Sequence, residues 1–346
     1  MTQKPVDFNA ITRIRTPTES YVRYYPEIVR LGNIQLEKQL WFSSEMKMEL
    51  DKMQLKYELT DEQRHAVLTV LKLFLQYELI VGEEFWMGKM VKTFPRPEVK
   101  LAASILGMTE LAIHAEFYDQ INIQLGLSTD DYYTEYVDNP VLKQRMDWLE
   151  AVLSGDDDVL SCIVFSMTET ALLFSAFSIL KSFQSNGYNK LPVTVRGTNQ
   201  SAVDEDLHGE VSAEIINTYY RELGSSLLED TNRYSQVLQA VVYAYAHECE
   251  VIDMAIPGDS LNGVPKQHYK EFVKSRLNIF LNRLGCPDYF VVGDCSILEW
   301  FTNNTNSYKN PDFFTPGVGS EYTSAGWDMA SFLEAGLAIV KENKNK

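Results

Sequence analysis

Apolar positions along this chain recur mostly with the 3.6-residue period of an amphipathic helix, and few segments alternate as strands do. The pattern predicts one or two helices within residues 20–48, followed by a long helix that begins at a capping box of Thr60 and Gln63. A loop is expected over 186–197, where Asn-Gly and Arg-Gly pairs occur. Further helices are predicted over residues 106–126, 140–153, 162–180, 199–223, 231–255 and 266–284. The fold class predicted is therefore all-α.

Residues 162–180 form the most apolar stretch, with Glu169 as the one charged residue among 19. That length is close to what a helix needs to span a bilayer. Five Ser and Thr residues interrupt the stretch, and no basic residues flank its N-terminal side. A fully buried central helix is therefore favoured, and a membrane-spanning helix is the alternative.

Composition adds limits on compartment and partners. The 346 residues are 45% hydrophobic and 23% charged, which is typical of a soluble globular protein with a sizeable core. A formal net charge of -17 argues against nucleic-acid or anionic-membrane partners. The four cysteines show no CxxC spacing, and the first 20 residues contain no apolar signal-peptide core. These features predict a cytoplasmic location.

Three polar side chains lie on the apolar stripe of the predicted helix around residues 106–122. Glu110, His114 and Tyr118 occupy positions i, i+4 and i+8. A buried carboxylate without a partner costs several kcal/mol or becomes neutral, so these groups require partners inside the protein. A buried hydrogen-bond network and a metal site both meet that requirement.

More carboxylates on other helices favour the metal site. The inward-facing candidates on the remaining long helices are Glu78, Glu169, Glu205 and His208. Two helices with one carboxylate and two with a carboxylate and a histidine match the ligand set of ferritin-like bundles that bind two iron or manganese ions. The other interpretation places Glu78 on the surface and the acidic run 204–206 on a solvated face. The remaining histidines show no partner pattern and are interpreted as surface or ordinary core residues.

Several segments together resemble the small, radical-generating subunit of class I ribonucleotide reductase. LKLFLQYE, TELAIHAEFY, TETALLFSAF and VDEDLH are similar to the four ligand helices of that family, in the same order. The resemblance implies a ferritin-like bundle whose metal ligands are Glu78, Glu110, His114, Glu169, Glu205 and His208. It also implies that Tyr118 bears the radical. Together with Asp204 of VDEDLH, the segments EKQLWFSSEM and NPDFFTPGVGSEY resemble the family's radical-transfer segments, which implies that Trp41, Asp204 and Tyr322 take part in radical transfer.

The second ligand helix departs from the family pattern in its spacing. The family has Glu-x-x-His, whereas Glu110 and His114 are four residues apart and Leu111 occupies the expected ligand position. A π-bulge would bring Glu110 onto the same face as His114. If Leu111 occupies the ligand position instead, the site loses a carboxylate. Two iron ions are the first expectation for the metals, with Mn/Fe and Mn/Mn as alternatives.

The resemblance implies a function and partners. The chain is expected to form a dimetal and tyrosyl radical cofactor and to pass the radical to a large subunit, which reduces ribonucleotides to deoxyribonucleotides. A helical domain over 1–310 and a flexible C-terminal tail over 311–346 are expected, with the tail binding the large subunit, and a homodimer is expected as well. The alternatives are another dimetal-carboxylate oxidase, such as a ligand-binding oxidase or a desaturase, and a variant small subunit with altered or absent metal and a modified tyrosine.

Overall fold

The structure, a computed structural model, describes residues 6–301. Over these residues the fold is almost entirely helical, as predicted. The main helices are α1 (Pro26–Lys38), α2 (Asp61–Thr93), α3 (Pro97–Thr109, continued by Glu110–His114 and Ala115–Leu125), α4 (Pro140–Leu153), α5 (Asp158–Gln184), α6 (Pro192–Leu223), α7 (Thr231–Ala255) and α8 (Lys266–Arg283). A small hairpin pairs β1 (Ser260–Leu261) with β2 (Val264–Pro265) in antiparallel orientation.

Helix starts follow the chemistry predicted from the sequence. The Thr60 hydroxyl accepts a hydrogen bond from the Gln63 backbone N–H at 3.2 Å, and the Gln63 side chain accepts one from Thr60 N–H at 3.1 Å. This reciprocal pair begins α2 as predicted. Asp157 caps α5 by accepting hydrogen bonds from the first backbone N–H groups of that helix.

Two predicted boundaries are wrong. The helix expected within 20–48 ends at Lys38, and Ser43–Glu45 and Met48–Leu50 form separate 3₁₀ turns. The loop expected over 186–197 ends early because α6 begins at Pro192. Proline is favourable in the first turn of a helix, where its missing N–H has no helical partner to lose. The helix start was missed because the Arg-Gly pair at 196–197 was interpreted as part of a loop.

Four long helices enclose the centre of the molecule. Helix α2 packs against both α3 and α5, and α6 packs against α5 and α1. Both α2 and α5 are long and apolar enough to span a membrane by composition, but the most apolar part of α5 is completely buried inside the fold. This burial supports the interpretation of α5 as the central helix of a soluble protein rather than a membrane span.

Three of these helices depart locally from α-helical geometry. The π-helical segments are Ile80–Met90 in α2, Glu110–His114 in α3 and Thr168–Leu172 in α5. A π-segment inserts an extra residue into a turn and so rotates the side chains that follow it. Each segment contains or adjoins one of the predicted metal ligands, so these departures affect how the ligands are aimed.

A close crossing brings α2 and α3 together beside these ligands. A Cβ atom placed on Gly82 would lie 2.7 Å from Leu111 Cγ, 3.1 Å from Glu110 Cβ and 3.1 Å from the Gly107 carbonyl oxygen. Any larger residue at this position would push the two helices apart. Glycine therefore permits the approach that places Glu110 beside α2.

Candidate metal centre

Four helices bring the six predicted ligand residues into one enclosed cluster. Their side chains are completely buried, with no exposed surface on any of them: Glu78 from α2, Glu110 and His114 from α3, Glu169 from α5, and Glu205 and His208 from α6. The surface interpretation of Glu78 is therefore wrong. The solvated-face interpretation of the acidic run is also wrong for Asp204 and Glu205, although the Asp206 side chain is 49% exposed and pairs with Arg283 at 2.8 Å.

The first half of the cluster surrounds His114. Its Nδ1 atom lies 2.8 Å from Glu110 Oε2, 3.0 Å from Glu205 Oε1 and 3.9 Å from Glu78 Oε2. One ring nitrogen carries at most one proton, so it cannot satisfy three carboxylates. A cation in the same space would contact all of these atoms at once.

The second half surrounds His208 in the same manner. Its Nδ1 atom lies 2.5 Å from Glu110 Oε1, 3.2 Å from Glu205 Oε2 and 3.3 Å from Glu169 Oε2. Glu110 and Glu205 therefore each present one oxygen to each histidine. Two carboxylates shared in this way could each help to hold two metal ions.

The donor set fits two cations. The donor atoms form two groups, each within 4.8 Å, and the groups share Glu110 and Glu205. Among the described residues, both oxygens of Glu78 and both of Glu205 lack a hydrogen-bond partner of normal geometry, although they are buried. Buried polar atoms usually have such partners. Four carboxylates and two imidazoles are the hard-oxygen and nitrogen donors that iron and manganese accept, and two divalent ions would balance four negative charges.

In the metal-free protein, bound protons offset the negative charge of these carboxylates. Burial raises the pKa of Glu78 well above its usual range, and the charge of Glu110 adds to the rise. Burial likewise raises the pKa of Glu169, with a further contribution from Glu205. Burial lowers the pKa of both histidines, but the carboxylates, Glu110 first, outweigh it and raise each pKa well above the usual range. Metal binding at this cluster would therefore displace protons.

The π-segment Glu110–His114 accommodates the four-residue spacing between these two residues. The expected π-bulge is confirmed, and Glu110 rather than Leu111 points into the cluster. Leu111 is only partly buried and lies against Gly82 of α2. From α8, Arg276 Nε donates a hydrogen bond at 2.8 Å to the carbonyl oxygen of Thr170, which lies in the π-segment of α5 that contains Glu169.

Tyr118 lies one turn after His114 in an aromatic environment. The ring stacks on Phe74 with centroids 4.1 Å apart and meets Phe117 edge-on at 5.0 Å. Its hydroxyl is buried and has no hydrogen-bond partner of normal geometry among the described residues. Burial and then the charge of Glu78 raise the pKa of Tyr118, and the nearby Ser201 hydroxyl opposes this rise.

Trp41 is connected to the cluster through Asp204. The indole N–H of Trp41 donates to Asp204 Oδ2 at 2.7 Å, and the same oxygen lies 3.1 Å from His114 Nε2. Trp41 also stacks on His114 with ring centroids 5.9 Å apart. These contacts form a continuous hydrogen-bonded path from a candidate ligand to a buried tryptophan. Tyr322 and the tail over 311–346 lie outside the described residues.

One neighbour of the cluster was missed from the sequence. Trp86 is fully buried, and its indole N–H donates to Glu169 Oε1 at 2.6 Å. A signal was available, because Trp86 follows Glu78 by eight residues on one helix. The π-segment between them made the predicted helical face unreliable at that distance.

The chain matches the family described as ribonucleotide reductase, small chain, over residues 24–295. The chain belongs to this family. It is 25% identical over 245 residues to the probable ribonucleoside-diphosphate reductase small subunit 376L of Invertebrate iridescent virus 6, covering 65% of this chain and 64% of that protein. It is 23% identical over 309 residues to the ribonucleoside-diphosphate reductase small subunit of Dictyostelium discoideum, covering 87% and 85%. The predicted family and enzyme class are confirmed.

Solved structures support the ferritin-like fold of this small chain. The putative class I ribonucleotide reductase from Bacillus halodurans matches with a TM-score of 0.71 at 17% identity, covering 80% of this chain and 99% of that one. The dimanganese(II)-NrdF of Streptococcus sanguinis matches with a TM-score of 0.64 at 18% identity, covering 84% and 94%. The Rnr4 homodimer from Saccharomyces cerevisiae gives 0.67 at 16% identity, covering 86% and 91%.

Proposed function

We propose that this chain forms the radical-generating centre of a class I ribonucleoside-diphosphate reductase, with Tyr118 as the side chain that is oxidised. The observation that carries the proposal is the sharing of Glu110 and Glu205 between two histidines, with one oxygen of each carboxylate facing each ring. Membership in the small-chain family supports it. The large subunit of such an enzyme would reduce the ribonucleotide.

Each metal position would have its own terminal ligands in addition to the shared pair. Glu78 and His114 would hold one ion, and Glu169 and His208 the other. Two redox-active ions bound here would pass the oxidising power of dioxygen or superoxide to a neighbouring side chain, which would lose an electron. Two iron ions remain the first expectation, and the dimanganese(II) protein of Streptococcus sanguinis supports manganese as the alternative.

The surroundings of Tyr118 suit a side chain that has to lose an electron and survive as a radical. Its phenol has to release a proton with the electron. The polar groups that influence the pKa of this phenol are Glu78, His114, Ser201 and Glu205. The stacked ring of Phe74 and the complete burial of Tyr118 exclude water and external reductants. These contacts support a long-lived radical at this position.

Radical transfer would use Trp41 and Asp204. The Asp204 carboxylate accepts the indole N–H at 2.7 Å, so it can hold the indole proton close by as the ring loses an electron. Tyr322 and the proposed tail over 311–346 would continue the path to the large subunit from the helical domain over 1–310. The Rnr4 homodimer of yeast supports a homodimeric assembly for this chain.

Electron paramagnetic resonance of the loaded full chain tests the proposal. Fe(II) or Mn(II) is added to the metal-free protein, followed by dioxygen or superoxide, and a tyrosyl signal is expected. Tyr118→Phe should keep metal binding unchanged and lose the signal. Tyr269→Phe is the matched control, because Tyr269 is equally buried but lies on α8 and bonds the Leu261 carbonyl.

Two results would contradict the proposal. A tyrosyl signal that persists in Tyr118→Phe would place the radical on another residue. Two metals bound by the wild-type protein with no radical, together with no ribonucleotide reduction beside a large subunit, would favour another dimetal-carboxylate oxidase.

A further inference from the structure

Trp86 contacts the half of the cluster that surrounds His208. Its indole N–H donates to Glu169 Oε1 at 2.6 Å, and its ring meets the His208 ring edge-on with centroids 6.2 Å apart. The Phe85 ring packs against the Trp86 ring in a tilted arrangement, with centroids 5.0 Å apart, and Phe85 in turn stacks on Phe165 with centroids 4.6 Å apart. This packing holds the indole in one orientation.

The two histidines differ in what supports them. His114 has its second ring nitrogen 3.1 Å from Asp204 Oδ2. His208 Nε2 is buried and has no hydrogen-bond partner within the part of the chain that the structure describes. Metal-binding histidines almost always donate this second N–H to a carboxylate, carbonyl or water, which fixes the ring. Within residues 6–301, no protein group therefore supports the second ring nitrogen of His208 as Asp204 supports that of His114.

The contact with Trp86 gives Glu169 two unlike oxygens. An indole N–H only donates hydrogen bonds, so Oε1 is engaged as an acceptor. Oε2 remains, and it lies 3.3 Å from His208 Nδ1, toward the shared carboxylates. Glu78, the corresponding carboxylate beside His114, has no hydrogen-bond partner on either oxygen among residues 6–301. The two terminal carboxylates are thus constrained to different degrees.

We propose that Trp86 is the positioning residue of the metal position formed by Glu169 and His208, and that it holds Glu169 as a ligand through Oε2 alone. In this role the indole supports the second position through its carboxylate, as Asp204 supports the first through its histidine. The inference rests on the proposed dimetal function. Loss of an outer hydrogen bond of this kind typically weakens metal binding 10- to 100-fold.

Mn(II) titration of the full chain tests this role without any turnover. Free Mn(II), followed by its resonance signal, gives the dissociation constant of each bound ion. Trp86→Phe keeps a flat ring but removes the N–H, and it should weaken one of the two ions by about 10- to 100-fold while the other keeps its affinity. Trp148→Phe is the matched control, because Trp148 is only partly buried on α4 and packs against Tyr243.

Anomalous diffraction at limiting Mn(II) identifies the weakened position. The Trp86→Phe crystal should lose the peak beside Glu169 and His208 and keep the peak beside Glu78 and His114. Unchanged Mn(II) affinities, equally weakened binding of both ions, or loss of the peak beside Glu78 and His114 would overturn the role of Trp86. These results would leave the proposed dimetal function intact. Wild-type protein that binds fewer than two Mn(II) ions would overturn the proposed function as well.

A loaded wild-type crystal provides a second test if Trp86→Phe fails to fold, which circular dichroism would reveal. The expected structure has Glu169 bound to metal through Oε2 only, with Oε1 still accepting the Trp86 hydrogen bond. Two metal bonds from Glu169 to one ion, or a Trp86 N–H that bonds elsewhere, would overturn the inference.

Discussion

Substitution of Gly82 by alanine would perturb the crossing of α2 and α3 without replacing any candidate ligand. The new Cβ would lie 2.7 Å from Leu111 Cγ, and Leu111 can move because it is only partly buried. The Gly107 carbonyl oxygen and Glu110 Cβ, each at 3.1 Å, belong to α3 itself and would have to give by a few tenths of an ångström. The substitution should therefore displace the helix that positions Glu110.

The expected cost follows from two opposing effects. Overpacking of a close contact costs about 1–3 kcal/mol. Alanine in place of glycine within a helix returns about 1 kcal/mol. Gly82→Ala should therefore destabilise the metal-free protein by up to roughly 2 kcal/mol. At an unfolding entropy of about 2.1 cal/mol/K per residue, this is a fall in melting temperature of up to about 3 °C for a chain of 346 residues. Both bound metals should weaken, because Glu110 faces both histidines.

Thermal melting of the metal-free protein and Mn(II) titration measure the two effects. Gly258→Ala is the control, because a Cβ at Gly258 has no described neighbour within 4 Å. It should leave both measurements unchanged. If Gly82→Ala melts at the wild-type temperature and binds both ions as tightly as the wild type, the crossing does not position Glu110.

Two further substitutions test a buried histidine on α7 and a close contact beside Trp41. Burial and then the Arg145 charge lower the pKa of His247 from 6.5 to about 4, so the unfolded chain binds a proton in this window that the folded protein does not. The free energy of unfolding therefore decreases as the pH falls from 6.5 to 4. Between pH 7 and pH 5, the free energy of unfolding of metal-free His247→Asn, measured by urea denaturation, should fall by about 2 kcal/mol less than that of the wild type. Equal losses in the two proteins would contradict this. A Cβ on Gly197 would overlap the Phe117 ring, which meets Trp41 edge-on at 5.6 Å. Gly197→Ala should cost about 1–3 kcal/mol and change the Trp41 fluorescence, and an unchanged spectrum with wild-type stability would show that Phe117 adapts freely.

The hydrophobic period was sufficient to predict most helices, because long helices of a bundle bury one continuous stripe each. Local chemistry was sufficient for some ends, as the Thr60 capping box and the Asp157 cap show. The start of α6 at Pro192 was missed, because the Arg-Gly pair at 196–197 indicated a loop and because the sequence does not reveal that Leu191 adopts a left-handed backbone conformation with φ of 53°. Only tertiary contacts, such as the bonds from its backbone N–H groups to Asp51, reveal why the helix begins there.

The candidate ligands could be predicted because burial of several carboxylates is costly unless cations or protons compensate them. The contacts around them could not be predicted in the same way. Trp86 resembles any other core aromatic in sequence, and its significance depends on a single hydrogen bond across to α5. Arg276 likewise contacts the Thr170 carbonyl from a helix more than 100 residues away in the chain.

The two carboxylate–histidine pairs show why sequence spacing alone is an incomplete guide to this centre. Glu205 and His208 are three residues apart on regular α-helix, and their charged atoms lie 3.2 Å apart. Glu110 and His114 are four residues apart on a π-segment, and theirs lie 2.8 Å apart. The extra residue in the wider turn compensates for the extra residue in the spacing. A motif defined by one fixed spacing would reject the pair of Glu110 and His114. The requirement that each buried carboxylate has a partner of opposite charge retains both pairs.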